Sequence, residues 1–133
     1  MKGLITGALL LIGAVVAHAQ TPLVNGAVVT GLSGAAGSEQ LYTLTVPANQ
    51  VVLDIRLYGT TVNGNPDLYV KLGSAPTTTD FTFKSARPGA SEVVSQFYPT
   101  AGTYYILVKG TTAYNNVALK GESRIPKGFP GNP

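Results

Sequence analysis

The sequence predicts an all-β domain: a two-sheet antiparallel β-sandwich of about eight strands with jelly-roll-like topology. Three observations carry this reading. Short runs rich in Val, Leu, Thr and Tyr recur along the chain at spacings near ten residues. Clusters of Gly, Pro, Asn and Ser separate them. Beyond Gln20 no stretch keeps a 3.6-residue apolar period long enough for a helix. That many strands in one sheet would leave both faces uncovered, so two sheets must pack face to face.

The strands follow in order. Ala27 to Leu32 is the first, closed by the loop Ser33-Gly34-Ala35-Ala36-Gly37. Glu39 to Val46 places Leu41, Thr43 and Thr45 on one face and Tyr42, Leu44 and Val46 on the other, and the second set is the buried one. After the turn at Pro47-Ala48-Asn49-Gln50, Val51 to Tyr58 directs Leu53, Ile55 and Leu57 inward and Asp54 and Arg56 outward. Asn63-Gly64 marks a turn, because both residues tolerate positive φ. Asp67 to Leu72 is the next strand, and a Ser/Thr/Pro loop then leads to a short edge strand at Asp80 to Lys84. Glu92 to Tyr98, Thr103 to Lys109 and Asn116 to Gly121 complete the set. Residues 124–133 hold three Pro and two Gly without alternation, which predicts an extended or mobile tail.

Residues 1–19 read as a secretory signal peptide. Lys2 gives a positive start, Leu4 to Val16 is an apolar run, and Ala17-His18-Ala19 has the small-x-small pattern of a cleavage site. The run is short for a bilayer crossing, which takes about 20 apolar residues, so cleavage before Gln20 and a chain with no membrane span are expected. Export follows, to the medium or the cell surface. Removing 19 of 133 residues leaves 114, enough for a single domain, residues 20–123, plus the tail. Cysteine is absent, so this domain must hold by packing alone, with eleven Tyr and Phe among its apolar residues.

Composition excludes several classes of function. The formal net charge of +3 is spread thinly, and no window clusters Lys or Arg densely enough to track a phosphate backbone, which removes nucleic acid as a partner. His18 is the sole histidine and leaves with the signal, so acid–base and nucleophilic chemistry would fall to six carboxylates and the lysines. A sandwich of this size offers little cleft across which two carboxylates could face each other. The expectation is no enzymatic activity.

Three ordered blocks carry a family likeness: Gly31-Leu32-Ser33-Gly34-Ala35-Ala36-Gly37-Ser38-Glu39-Gln40 leading into Tyr42-Thr43-Leu44, then Asn65-Pro66-Asp67-Leu68-Tyr69-Val70, then Ala101-Gly102-Thr103-Tyr104-Tyr105-Ile106. Together they resemble the bacterial pre-peptidase C-terminal domain over roughly Leu23 to Glu122. The resemblance implies a β-sandwich that accompanies the catalytic domain of a secreted peptidase, with collagen or calcium binding in some relatives, among them collagenase domains. It also implies a Cys pair flanking the loop that follows the Ser/Thr/Pro segment. The matching positions here are Phe83 and Val94, so packing would replace the covalent tie.

Two sets of residues invite a site. Calcium takes six to eight oxygen ligands from carboxylates and loop carbonyls. Asp67 after the Asn63–Pro66 turn and Glu39 after the Gly/Ser loop could each supply one, or could simply cap their own turns. No other cofactor is indicated. Exposed tyrosine suits recognition, having a flat apolar face and a hydroxyl. Tyr58, Tyr69 and Tyr114 lie at strand ends or turns, and Tyr105 shares a face with Lys109, so these four form the candidate binding surface. The leading expectation is a non-catalytic binding or accessory module for an extracellular protein or polysaccharide. The rivals are a structural subunit whose tail docks on a neighbour's edge strand, and a helper acting in trans on a secreted peptidase.

Overall fold

The computed structural model describes residues 19–133; the signal-peptide reading falls on residues 1–19 and so, apart from Ala19, lies outside the described residues. Nine strands form: β1 (Gln20–Pro22), β2 (Val28–Gly34), β3 (Glu39–Val46), β4 (Val52–Tyr58), β5 (Pro66–Leu72), β6 (Phe83–Ser85), β7 (Glu92–Phe97), β8 (Gly102–Gly110) and β9 (Tyr114–Arg124). A five-stranded sheet runs in the order β1-β3-β8-β5-β6 and a four-stranded sheet in the order β2-β9-β4-β7. Among the connections, β5 to β6 stays within one sheet, and the others cross between sheets in jelly-roll-like fashion. Among the described residues no helix is long and apolar enough to cross a membrane.

The eight expected strands are β2 to β9, with ends displaced by up to a few residues. β1 was not expected, since Gln20-Thr21-Pro22 has no apolar alternation. It is held by backbone pairing, parallel to β3, with Leu23 N–H donating to the Thr43 carbonyl at 2.7 Å. Every other strand pair is antiparallel. The Asn63-Gly64 turn ends a short 3-10 helix at Thr61–Asn63, in which Asn63 Oδ1 accepts from the Thr60 N–H at 2.9 Å. Of the pair, Gly64 takes positive φ (+103°), and a Cβ there would lie 2.3 Å from the Ala113 carbonyl oxygen.

Alternation sorts the core. From β3, Tyr42, Leu44 and Val46 point between the sheets, and from β4, Leu53, Ile55 and Leu57 meet them, the last three at most 1% exposed. Leu68, Val70, Ile106, Val108, Val117 and Leu119 complete the centre. Burying such side chains contributes about 25 cal/mol per Å² of apolar surface, which must suffice in a chain without disulfides. Val94 lies in this core and Phe83 packs against it, so both positions matched to the absent cysteines are apolar members of one cluster.

The terminal segment folds on itself and does not run extended. Arg124 closes β9, and the residues after it turn back: Gly128 N–H reaches the Asn132 carbonyl at 2.7 Å, and Asn132 Nδ2 donates to the Ile125 carbonyl at 2.7 Å. Asn132 thus satisfies a loop that its Pro and Gly content alone would leave open.

Candidate binding surface

The polar residues of the three sequence blocks serve architecture. With its amide oriented to donate, Asn65 Nδ2 reaches the carbonyls of Arg87 (3.0 Å) and Gly89 (2.9 Å), tying the start of β5 to the loop before β7. Asp67 Oδ2 accepts from Thr111 Oγ1 at 2.8 Å, and Thr111 N–H donates to the Asn65 carbonyl at 3.0 Å. Tyr104 Oη donates to the Thr100 carbonyl at 2.9 Å, a tyrosine bracing the turn upstream of its own strand. These contacts fix loops, and the second oxygen of Asp67, Oδ1, is buried without a hydrogen-bond partner among the described residues.

Glu39 and Asp67 are brought near each other, but around a lysine. β8 lies between β3 and β5, and Lys109 is the register partner of both carboxylates. Its Nζ lies 3.0 Å from Glu39 Oε2 and 3.3 Å from the Gly37 carbonyl. The two carboxylate strands are thus about 10 Å apart, twice the inter-strand spacing. The Lys109 ammonium thus pairs on the Glu39 side of the row. Among the described residues no group of three or more His, Cys, Asp or Glu gathers as a metal site.

The four tyrosines divide. Tyr58 is exposed at 44%. Tyr105 is half-buried, packing against Leu41, Leu107 and Tyr69 on the outer face of the five-stranded sheet. Tyr69 corrects the expectation: it faces outward yet is buried, with Phe81 set edge-on at 5.4 Å and Lys84 Nζ 5.7 Å from the ring centre. Burial first, then the neighbouring Asp67 charge, pushes its hydroxyl pKa up, while Lys109 pulls it down. Tyr114 is a second correction. It opens β9 pointing inward, 3% exposed, where Gly34 leaves room for its ring; a Cβ at residue 34 would approach the ring to 2.7 Å. Its hydroxyl is likewise pushed up, chiefly by burial.

Sequence reasoning missed the most exposed aromatic pair, Phe97 (68%) and Tyr98 (70%). Tyr98 takes φ +50°, an uncommon conformation for a bulky residue, with its N–H donating to the Val51 carbonyl at 2.8 Å. Alternation could have found Phe97, because Ser95 on the same face faces solvent.

The outer face of the four-stranded sheet carries an open groove lined by Asp54, Arg56, Tyr58, Lys120, Glu122 and Arg124. Register puts like charges opposite each other, Asp54 against Glu122 and Arg56 against Lys120. Opposite charges pair around that conflict. Arg124 reaches Asp54 at 2.8 Å and Lys120 reaches Glu122 at 2.9 Å. Ser95 Oγ also donates to Asp54. Burial works to raise the Asp54 pKa, but the hydrogen bonds from Ser95 and Arg124 and the charges of Arg124 and Arg56 together hold it below the ordinary aspartate value. The two carboxylates sit on a flat, wet face, each matched to a cation. That arrangement suits polar recognition, with no enclosed cleft for catalysis.

A buried carboxylate lies at the sandwich edge. Glu92 is 0% exposed, accepts from Ser85 Oγ and from the Arg87 N–H at 2.8 Å, and so links β6 of one sheet to β7 of the other. Burial raises its pKa, against the opposing effect of these two hydrogen bonds.

The fold is a two-sheet sandwich in which five of the carboxylates stand in ion pairs. The comparisons with known proteins give its family. The profile of the bacterial pre-peptidase C-terminal domain matches residues 38–110. An extracellular protease of Xanthomonas campestris pv. campestris is 41% identical over 98 residues, 74% of this chain and 16% of that protein. A solution structure, vEP C-ter 100, is 34% identical with a TM-score of 0.63, covering 77% of this chain and 98% of that one. The crystal structure of the pre-peptidase C-terminal domain of a Bacillus anthracis collagenase shares the fold, with a TM-score of 0.63 over 82% of this chain and 100% of that one, at 13% identity. The chain belongs to the bacterial pre-peptidase C-terminal domain family, accessory domains of secreted peptidases. It spans about one sixth of the Xanthomonas protease.

Proposed function

We propose that this chain is a secreted, non-catalytic module that recognises an extracellular protein or glycan surface through the outer face of its four-stranded sheet. The carrying observation is the groove on that face, where exposed Tyr58 stands beside five charged side chains on a flat floor. The opposite sheet face is partly closed by its own apolar cluster of Leu41, Tyr69 and Leu107. Pull-down of the purified protein on a panel of insoluble glycans and matrix proteins tests the reading. Retention that Tyr58→Ala and Arg124→Ala abolish is expected; retention unaffected by both would overturn it.

Recognition on this face draws on no calcium ligand: Glu39 and Asp67 lie on the other sheet, and Glu39 is paired there with Lys109. Thermal unfolding should give the same midpoint in Ca²⁺ and in EDTA, since a ligand bound only by the folded state would raise it by mass action. A rise in Ca²⁺ would return both carboxylates to ligand roles.

A second reading has support in the relatives. An extracellular protease carries a segment 41% identical to this chain over 98 residues, which supports a role beside a secreted peptidase, in trans. Co-purification of a peptidase from the native secretion would establish it. The assembly reading is disfavoured by the tail, whose backbone groups at Gly128 and Asn132 are bonded within the tail itself.

A further inference from the structure

The groove holds a charge that the protein leaves unmatched. On the outer face of the four-stranded sheet, Arg56 and Lys120 are direct register partners, where like charges repel. Lys120 is neutralised by Glu122 and Arg124 by Asp54. Arg56 has no ion pair among the described residues, its influence on Asp54 being through space. Its cross-strand neighbour on the other side is Val93, and beyond Lys120 the same row ends in Val28, exposed at 53%. The row thus reads Val28, Lys120, Arg56, Val93: two adjacent cations framed by aliphatic residues, with three cations to two anions in the groove as a whole.

Two further features select the ligand. Tyr58 follows Arg56 by two residues on the same face. Phe97, opposite Val52 at the far end of β4, faces the same way as Ser95. Six residue steps of about 3.3 Å separate Tyr58 from Val52, so exposed aromatic rings stand roughly 20 Å apart at the two ends of the face. The floor between them mixes donors (Arg56, Lys120, Arg124) with acceptors (Asp54, Glu122). Sugar hydroxyls are both donors and acceptors, and sugar rings offer flat C–H faces to aromatic side chains. A planar guanidinium free of a partner binds a carboxylate with two parallel hydrogen bonds.

We infer that the outer face of the four-stranded sheet binds an extended acidic polysaccharide, with Arg56 receiving a uronate carboxylate and Tyr58 stacking on the adjoining sugar ring. This rests on the reading of the same face as a recognition surface and names its ligand class. Poly-glutamate would satisfy the cations but has no ring to place on Tyr58 and Phe97.

Isothermal titration of the purified protein with polygalacturonate, neutral dextran and poly-glutamate tests the inference, with Arg56→Gln, Arg56→Lys, Tyr58→Ala and, on the other sheet, Lys84→Ala. Folding of each variant is checked by its unfolding midpoint. Polygalacturonate should bind most tightly. Arg56→Gln should weaken it by about tenfold or more, the loss of a charge-assisted hydrogen-bonded pair, with Arg56→Lys intermediate. Tyr58→Ala should also weaken it, and Lys84→Ala should leave it unchanged. Equal binding of poly-glutamate, or binding of polygalacturonate that Arg56→Gln does not weaken, would overturn the inference. Binding of dextran or of a matrix protein through Tyr58, indifferent to Arg56, would also overturn it while leaving the recognition surface intact. Binding of none of these polymers, together with no retention on the matrix panel, would remove both.

Discussion

The two sheets share one core and differ in how they finish their outer faces. On the five-stranded sheet, Leu41, Leu107 and Tyr69 make a second apolar cluster although they point away from the main core. The chain after β5 returns across this side: Phe81 meets the Tyr69 ring, and Asp80 pairs with Lys71 of β5. On the four-stranded sheet, the corresponding outward positions carry Asp54, Arg56, Lys120 and Glu122, and their groove is open. One face is therefore covered by its own chain and the other is left open to solvent. Strand alternation alone does not separate these cases, because an outward side chain is exposed only where no loop comes back over it.

Substitutions can break this comparison. The largest effect is expected at Leu107, 1% exposed on an outward-facing position. Leu107→Ala should cost about 2–5 kcal/mol in denaturant unfolding, as for a core leucine. Tyr58→Ala, at the equivalent outward position of the other sheet, should stay within about 0.5 kcal/mol of the parent. Similar losses at both positions would erase the distinction.

Next in size is Glu92, which ties the two sheets together at their edge. Glu92→Ala leaves Ser85 Oγ and the Arg87 N–H without their acceptor, at about 1–3 kcal/mol for a donor so stranded. The pH dependence has a definite sign. The folded state holds the Glu92 proton more tightly than the unfolded chain, so this group's contribution is greatest below the ordinary glutamate pKa and declines as pH rises through its raised folded value. Glu92→Gln should flatten that decline in urea titrations over the weakly acidic range.

Asp54 should behave oppositely and more weakly. Its folded pKa is lowered, so its contribution is present above the ordinary aspartate pKa and is lost as pH falls through the folded value. With Arg124 substantially exposed, the pair is worth less than about 1 kcal/mol, and Asp54→Asn should remove a correspondingly small acid-side loss. A comparably small effect is expected for Lys71→Ala, which releases Asp80. Stability should change by about 0–1 kcal/mol, while Tyr69 fluorescence quenching by iodide should increase as its cover loosens.

Much of the fold was legible in the sequence. Period-two alternation named the inward residues of β3 and β4, and turn residues bracketed eight strands. β1 escaped because its three residues join the sheet through backbone pairing to β3. The candidate site was legible in part. Tyr58 is exposed as expected, and Asp54 and Arg56 were read as outward. Tyr69 and Tyr114 were misplaced because their burial depends on Phe81 and on the space above Gly34, contacts that local sequence does not encode. The partnering of Lys109 with Glu39 is likewise a property of strand order, with β8 between β3 and β5. The isolation of Arg56 needs the register of β4 against β9, which fixes which charges meet.

The most direct test of the division between the two faces is an amide NMR titration of the isotopically labelled protein with polygalacturonate. Shift changes should map to Arg56, Tyr58, Lys120 and their neighbours on β4 and β9, with β3, β5 and β8 undisturbed. Changes centred instead on Tyr105, Lys71 and Thr43 would place recognition on the five-stranded sheet and contradict the account.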